Sequence, residues 1–504
     1  MVNAGTAVGG RPAPLTRRPI GETLVNSRPD HEPDHDPGHS SLLSRLRSSI
    51  LGELIDRSDP RYDDARRVWN GLIDRRPIAV VRAGSSADIV PTLAMAVEEN
   101  LPLAVRGGGH NVAGHGTVDD GLVLDLSALN GVDVDARART VRVQAGATLA
   151  QVDRATEPFR LAVPMGVVSN TGIAGLTLGG GLGWLTRAYG LTADNLLSAE
   201  VVTVAGATVT ASETENPELF WGLRGGGGNF GVVTEFTFRA HPMPALPFTG
   251  TFVYPAPLWE AALSAFEIWT RDLPDELTSI LTFVVPPPAL GLGSDPLLLL
   301  SFAWATDDTV RAEQVVDRLR RAAPPAVEAT EPVSWPAWQS SVDAVFPRGV
   351  RGYWRNSSFD RLDAEVIAAL MRRGAEQTWL GTGFDIHHLG GAFGRVPEDA
   401  TPFPSRAARF WLNIYGFWAE PGDDSARMAF IREFAAEVEP LGSGGRYLNF
   451  LGEEPDADPV RQAEQVYGAA KLERLAVLKR DYDPQNLLRR NHNILPAVAS
   501  ADND

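Results

Sequence analysis

Hydrophobic positions in this chain follow two rhythms, an alternation of period two and a stripe of period near 3.6, broken by glycine- and proline-rich stretches. "LLSRLRSSILGELI" carries the helical stripe, and "DDARRVWNGLIDRRP" repeats it until Pro77 stops it. "IAVVRAGSSADIVPTLAMAVEENLPLAVRG" reads as strand, helix and strand, a small β-α-β unit with Ser86 placed to cap the helix. "GLVLDLSALNGVDVDARARTVRVQAGATLAQVDRAT" continues as strands around turns and then a helix. "AEVVTVAGATVTAS" is a hairpin whose Val and Thr arms meet at Ala205-Gly206.

The texture changes at "RAHPMPALPFTGTFVYPAP", where clustered prolines mark a domain junction. Beyond it, apolar strands ("LTSILTFVVPP", "LLLLSFAWA", "FWLNIYGFW") alternate with amphipathic helices ("TVRAEQVVDRLRRAA", "LDAEVIAALMRRGAE"). That is the pattern of an α+β domain whose mostly antiparallel sheet is covered by helices. A length of 504 residues exceeds what one core usually supports. The expected division is a disordered extension over 1–44, domains over 45–243 and 244–459, and a C-terminal segment of helix and Asn-rich tail over 460–504.

Composition narrows the chemistry mainly by exclusion. A formal charge of −17 without long arginine runs argues against nucleic acid as a partner. No apolar run reaches the roughly 18 residues that span a bilayer, so no membrane association is expected. The start of the chain lacks the apolar core of a secretory signal, which makes the cytoplasm the expected location. Cysteine is absent and the only lysines are Lys471 and Lys479, so thiolate, P-loop and pyridoxal-phosphate chemistry find little support. "HEPDHDPGHS" spaces three histidines by four, but ordering ligands in an acidic linker costs entropy, and no metal is expected.

Four glycine-rich loops stand out: "RGGGHNVAGHG" (106–116), "GIAGLTLGGGLGW" (172–184), "RGGGGNFGVV" (224–233) and the milder "LGSGGRYLNF" (441–450). Glycine at such density lets backbone N–H groups reach a phosphate-bearing ligand. Gly226, Gly228 and Gly231 satisfy G-x-G-x-x-G, yet the alternating "VVTEFTFRA" that follows reads as a strand. A Rossmann site needs a helix there, so that reading fails on context.

These loops, with "GLVLDLSALNGVDVD", "NPELFWGLRGGGGNFGVVTEF" and "YDPQNLLRRNHNI", resemble the berberine bridge enzyme-like flavoproteins of the wider vanillyl-alcohol oxidase group. The resemblance implies a two-subdomain PCMH-type FAD-binding domain, a separate substrate domain and a C-terminal segment that returns to the first. It implies FAD, joined to His110 through the flavin 8α carbon. His115 is expected to be a loop residue satisfied by backbone groups, with a flavin contact as the rival reading. Many relatives make a second bond from a cysteine; Ser169 stands there, and a hydroxyl is too poor a nucleophile to replace it. Attachment is therefore expected through His110 alone.

The same resemblance places Arg106, Gly107, Gly108, Gly109 and Asn111 at the pyrophosphate, and Gly175, Gly179, Gly180, Gly181 and Gly183 in the second loop. Asn195, Gly228 and Val233 should line the flavin or adenosine pocket, and Asn449 and Asn493 should close over it. Gly172 occupies a position whose small side chain favours oxygen access. For catalysis, the Tyr-x-Asn pattern makes Tyr447 the expected base, in competition with a buried structural tyrosine. It would need a lowered pKa. Ile414 stands where several relatives carry Gln or Glu, which counts against a carboxylate base. Of His387 and His388, alternation lets only one face the pocket.

The function this implies is an FAD-dependent oxidase that takes a hydride from an alcohol or amine carbon of a sugar or secondary metabolite and passes electrons to O2. A dehydrogenase with another acceptor is the alternative, and a non-catalytic flavin-binding protein the remote one. Oligomeric state stays open.

Overall fold

Two short strands, Ala79–Arg82 and Leu103–Arg106, run parallel to and on either side of Leu122–Asp125, while Glu53–Asp56 pairs antiparallel with the first. This sheet belongs to a computed structural model that describes residues 37–286, 292–330, 332–454 and 458–498. Its central strand is buried at every position, as a parallel strand covered on both faces must be. The helix Ile89–Glu98 makes the expected crossover, with a third strand inserted between the two it joins. The cap is Ser85 rather than Ser86: its side chain accepts from Ala87 N, and Asp88 accepts from Ser85 N.

A second sheet is wholly antiparallel, in the order Val132–Asp135, Thr140–Gln144, Val232–Arg239, Leu196–Val202, Thr208–Ser212. The expected hairpin is its last pair. Val232–Arg239 follows the third glycine loop directly, so no helix starts there and the Rossmann geometry is absent at that loop. The C-terminal residues Leu475, Leu478, Leu488 and Ile494 are buried in one core with Phe220, Phe230 and Val232.

The third sheet has seven antiparallel strands, ordered Val327–Ala329, Thr249–Pro255, Leu297–Trp304, Leu277–Val284, Thr382–His388, Phe410–Trp418, Arg351–Phe359. Helices Trp259–Trp269, Thr309–Ala322, Ala364–Ala375 and Asp424–Val438 cover one of its faces with a core that includes Phe384, Ile386, Leu412 and Ile414. The alternate residues of the same strands face the other way, toward the first two sheets. Two buried arginines join the halves. Arg187 donates to the carbonyls of Leu273, Leu277 and Leu389, and Arg406 makes paired 2.8 Å bonds to Asp194.

Three expectations about the first segment need correction. A helix occupies Pro37–Ser49 and buries Leu42, Leu43 and Leu46, so the extension ends before residue 44; residues 1–36 lie outside the described residues. "ELID" is a strand, because it pairs with Ala79–Arg82. Only Tyr62–Arg66 of the second stripe is helical. The stretch beyond it spends its backbone on distant partners: Trp69 N donates to Gly109 O and Gly71 N to Val350 O. No helix among the described residues is long and apolar enough to cross a membrane.

Candidate active site

Between the first two sheets and the bare face of the third lies a cavity of about 270 Å³. All four glycine-rich loops reach it, through Gly107 to Gly109, Gly172 and Gly175, Gly227, Gly228 and Gly231, and Tyr447 to Phe450. Trp354, Asp385, His387 and Asn413 line it from the seven-stranded sheet, and Arg490, Asn491 and His492 from the C-terminal segment.

His110 stands in this wall on the loop after Leu103–Arg106. Its Nε2 lies 2.8 Å from Asn170 Oδ1, and its ring stacks on Trp69 at 4.3 Å between centroids. Burial draws its pKa down to about 4, so the ring is neutral near pH 7 and keeps a nucleophilic lone pair. Arg106 lines the cavity with its stem, but its guanidinium is taken by Asp125 at 2.9 Å and by the Ala65 carbonyl. Asn111 lines it too, and its Oδ1 accepts from Ala113 N and His115 N, which fixes the turn.

Across the cavity, Asp385 and His387 occupy the same face of Thr382–His388. Asp385 is the sole acid among the lining residues. Burial pushes its pKa up to about 7, against hydrogen bonds with Thr282, Tyr415 and Asn413. Burial alone takes His387 down to about 4. His388 turns to the core side, between Phe266 and Phe410, and is no pocket residue. Ile414 likewise faces the helices. The pocket position on that strand is Asn413, and the carboxylate of the site stands opposite it on the neighbouring strand, at Asp385, so Ile414 does not count against a carboxylate base.

Tyr447 lines the cavity fully buried, and its hydroxyl oxygen accepts from Gly181 N at 3.1 Å and Asn449 Nδ2 at 2.8 Å. Burial outweighs these donors and raises its pKa to about 12. That is the wrong direction for a base near neutral pH, and Arg446, occupied by Glu439, does nothing to reverse it.

Residues 77–212 match the family model of the FAD binding domain, and 447–495 that described as berberine and berberine like. (R)-6-hydroxynicotine oxidase of Paenarthrobacter nicotinovorans is 30% identical over 89% of this chain and 97% of its own length. An uncharacterised FAD-linked oxidoreductase of Bacillus subtilis is 30% identical over 89% and 98%. The chain belongs to the berberine bridge enzyme-like FAD-linked oxidoreductases. The crystal structure of 6-hydroxy-D-nicotine oxidase from Arthrobacter nicotinovorans, 27% identical, superimposes with a TM-score of 0.78 over 89% of this chain and 99% of that one. The fold is accordingly the PCMH-type FAD-binding architecture with an added substrate domain.

The cavity of this FAD-linked oxidoreductase fits a large ligand rich in donors and acceptors. A Cβ at Gly175 or Gly228 would meet nothing within 4 Å, so both backbones lie open to the cavity. Trp69 Nε1, the Tyr467 hydroxyl, Arg490 Nε and Asn491 Oδ1 are buried on lining residues without a hydrogen-bond partner among the described residues. Val233, Asn449, His115 and His492 complete the lining. His115 turns its ring to His492, 5.0 Å between centroids, rather than to backbone groups, so the rival reading of it as a flavin contact gains ground.

Several residues expected at the cofactor are structural instead. Gly179, Gly180, Gly181 and Gly183 do not line the cavity: the space of a Cβ at each is filled by Asn449, Phe403, Thr192 and the Met165 carbonyl. Asn195 is buried and spends its amide on Tyr189 O, Leu191 O and His241. Asn493 is absent from the lining, where Asn491 and His492 stand. Ser169 also faces away, and its hydroxyl and N–H both bind Asp343. Gly172 lines the cavity, but a Cβ there would fall 2.3 Å from Gly108 N. Its missing side chain makes room for a neighbouring backbone, so it is no argument for oxygen access.

Sequence reading missed Trp69, Asn70, Asn170 and Asp385. Asn70 lashes the first loop to the third sheet, donating to Val112 O and Gly352 O. Period-two alternation through "FDIHH" was the one signal that could have found Asp385, since it puts Asp385 beside His387.

Proposed function

We propose that this enzyme is an oxidase that carries FAD on His110 by a single covalent bond and removes a hydride from an alcohol or amine carbon, with O2 as electron acceptor. The observation that carries the reading is Asp385, a cavity acid whose pKa of about 7 leaves it half ionised near neutral pH. Bound FAD supplies the hydride acceptor. Asp385 accepts the proton that leaves the substrate hydroxyl or ammonium as the carbon is oxidised. His387, neutral, offers the substrate a hydrogen bond from the same face. Trp69, Phe346, Trp354 and Phe450 wall the cavity with rings, which exclude water and suit a flat, largely apolar compound of secondary metabolism better than a sugar. The oxidase name of the 30% identical nicotine relative supports O2 as acceptor.

Acid denaturation tests the tether. Yellow colour should stay with the precipitate in the wild type and in His115→Ala, and pass to the supernatant in His110→Ala. Release from the wild type refutes the bond. For the acceptor, substrate-reduced enzyme mixed with air should reoxidise within seconds and yield one H2O2 per flavin; slow reoxidation identifies a dehydrogenase.

A further inference from the structure

The ring of His110 is held in place by a side chain from a second loop. Its Nε2 lies 2.8 Å from Asn170 Oδ1, and Trp69 covers one face. Whichever way the Asn170 amide is turned, Nε2 is the nitrogen engaged by another side chain, and Nδ1 is the one without a second side-chain partner.

Asn170 reaches His110 from a rigid turn. Ser169 donates from its N–H at 2.8 Å and its hydroxyl at 2.5 Å to the two oxygens of Asp343. Thr171 N closes the turn on Val168 O, and the first residues of the helix Leu149–Thr156 donate back to it, Leu149 N to Thr171 O and Ala150 N to Ser169 O. The turn is therefore pinned on both sides, and Ser169, which stands where relatives would place a second tether, serves to hold Asn170.

We propose that Asn170 is the positioning residue for flavin attachment: it occupies Nε2 of His110 and so directs the covalent bond to Nδ1. This rests on the reading that His110 carries the FAD. In the balanced step, a C–N bond forms between Nδ1 and the flavin 8α carbon and one C–H bond of that carbon breaks. The ring gives up its Nε2 proton, and two electrons with two protons pass to O2, giving H2O2. As Nδ1 is alkylated, positive charge spreads to the Nε2–H, and the bond to Asn170 is charge-assisted until that proton leaves the ring.

The test digests the purified holoenzyme, measures the fraction of flavin bound to peptide, and assigns the linked nitrogen by NMR of the flavinyl peptide. In the wild type all bound flavin should sit on Nδ1. Apo Asn170→Ala given FAD should attach it at least tenfold more slowly and with both nitrogens represented, while still binding FAD non-covalently. Asn170→Asp, which keeps an acceptor, should restore attachment at Nδ1 alone. Flavin lost from the wild type on acid denaturation would sink the tether reading itself. Retained flavin on Nε2, or Asn170→Ala attaching at the wild-type rate and only at Nδ1, would overturn the role of Asn170. If Asn170→Ala does not fold, the wild-type linkage and the Asn170→Asp protein decide.

Discussion

The Tyr415 hydroxyl donates to Asp385 Oδ1 at 3.2 Å across two neighbouring strands, on the cavity side of the sheet. Burial drives both groups toward their neutral forms, Tyr415 well above its ordinary value and Asp385 to about 7. Tyr415 is thus a fixed donor, and Asp385 is the member of the pair that titrates near neutral pH.

If Asp385 is the base, flavin reduction requires it ionised, so the rate should rise with pH and level off above about 7. Asp385→Asn should slow anaerobic flavin reduction by about 10²- to 10⁴-fold and remove this acid limb. Stopped-flow absorbance of the flavin across pH 5 to 9, on the order of the accessible range, reads both. A limb that persists in the Asn variant assigns the proton to another group.

Tyr447 gives a contrasting expectation. With its pKa near 12 and its oxygen already accepting two N–H bonds, it orients Asn449 and the Gly181 backbone without titrating near neutral pH. Tyr447→Phe should lower the reduction rate by about tenfold, the worth of one or two hydrogen bonds, and leave the acid limb of the profile in place. Loss of that limb in the Phe variant would return the base role to Tyr447.

The parts of the site that lay open to reading are those where one residue type has one use. The glycine loops are of this kind, since they announce backbone exposed to a ligand; the role expected of His110 came from the family resemblance, because the same loop also holds His115. The sheets also followed from period, because β-branched alternation in "AEVVTVAGATVTAS" and "VVTEFTFRA" leaves little choice. What could not be read was direction. Gly172 and Gly175 look alike in sequence, yet one packs on Gly108 and the other opens to the cavity. Asp385 escaped notice because its importance lies in burial on the bare face of a sheet, which only tertiary packing creates. The short helix Tyr62–Arg66 ended early for a similar reason, since long-range partners of Trp69 and Gly71 compete with local helical bonds.

Asp153 predicts a pH dependence of stability rather than of rate. It is buried where the two halves meet, accepts from Trp335 Nε1 at 3.1 Å, and burial raises its pKa to about 7. Between the unfolded value near 4 and about 7, the folded state holds a proton that the unfolded chain releases. Stability from this group is therefore full below the unfolded value and falls as pH rises through the window. Asp153→Asn should raise the melting temperature at pH about 8 and flatten its dependence on pH, with a ceiling of about 4 kcal/mol for a shift of this size. Thermal unfolding of both proteins at about pH 5 and 8 checks it, and parallel curves would show that Asp153 does not carry the effect.

Gly172 and Gly175 separate packing from cofactor contact. A Cβ at Gly172 would stand 2.3 Å from Gly108 N and 2.7 Å from its Cα, both backbone atoms that cannot move aside without shifting the loop that bears His110. Gly172→Ala should thus destabilise the fold by about 1–3 kcal/mol, the usual cost of overpacking, and reduce the yield of covalent flavin. Gly175 has nothing within 4 Å of its Cβ position. Gly175→Ala should fold with an unchanged melting temperature in the apo form yet bind FAD more weakly, because the added methyl enters the space the cofactor needs. If Gly172 instead controlled oxygen access, its alanine variant would keep full flavin content and stability and change only the rate of reoxidation. Flavin content, apo melting temperature and reoxidation rate, measured on the two variants side by side, tell these apart.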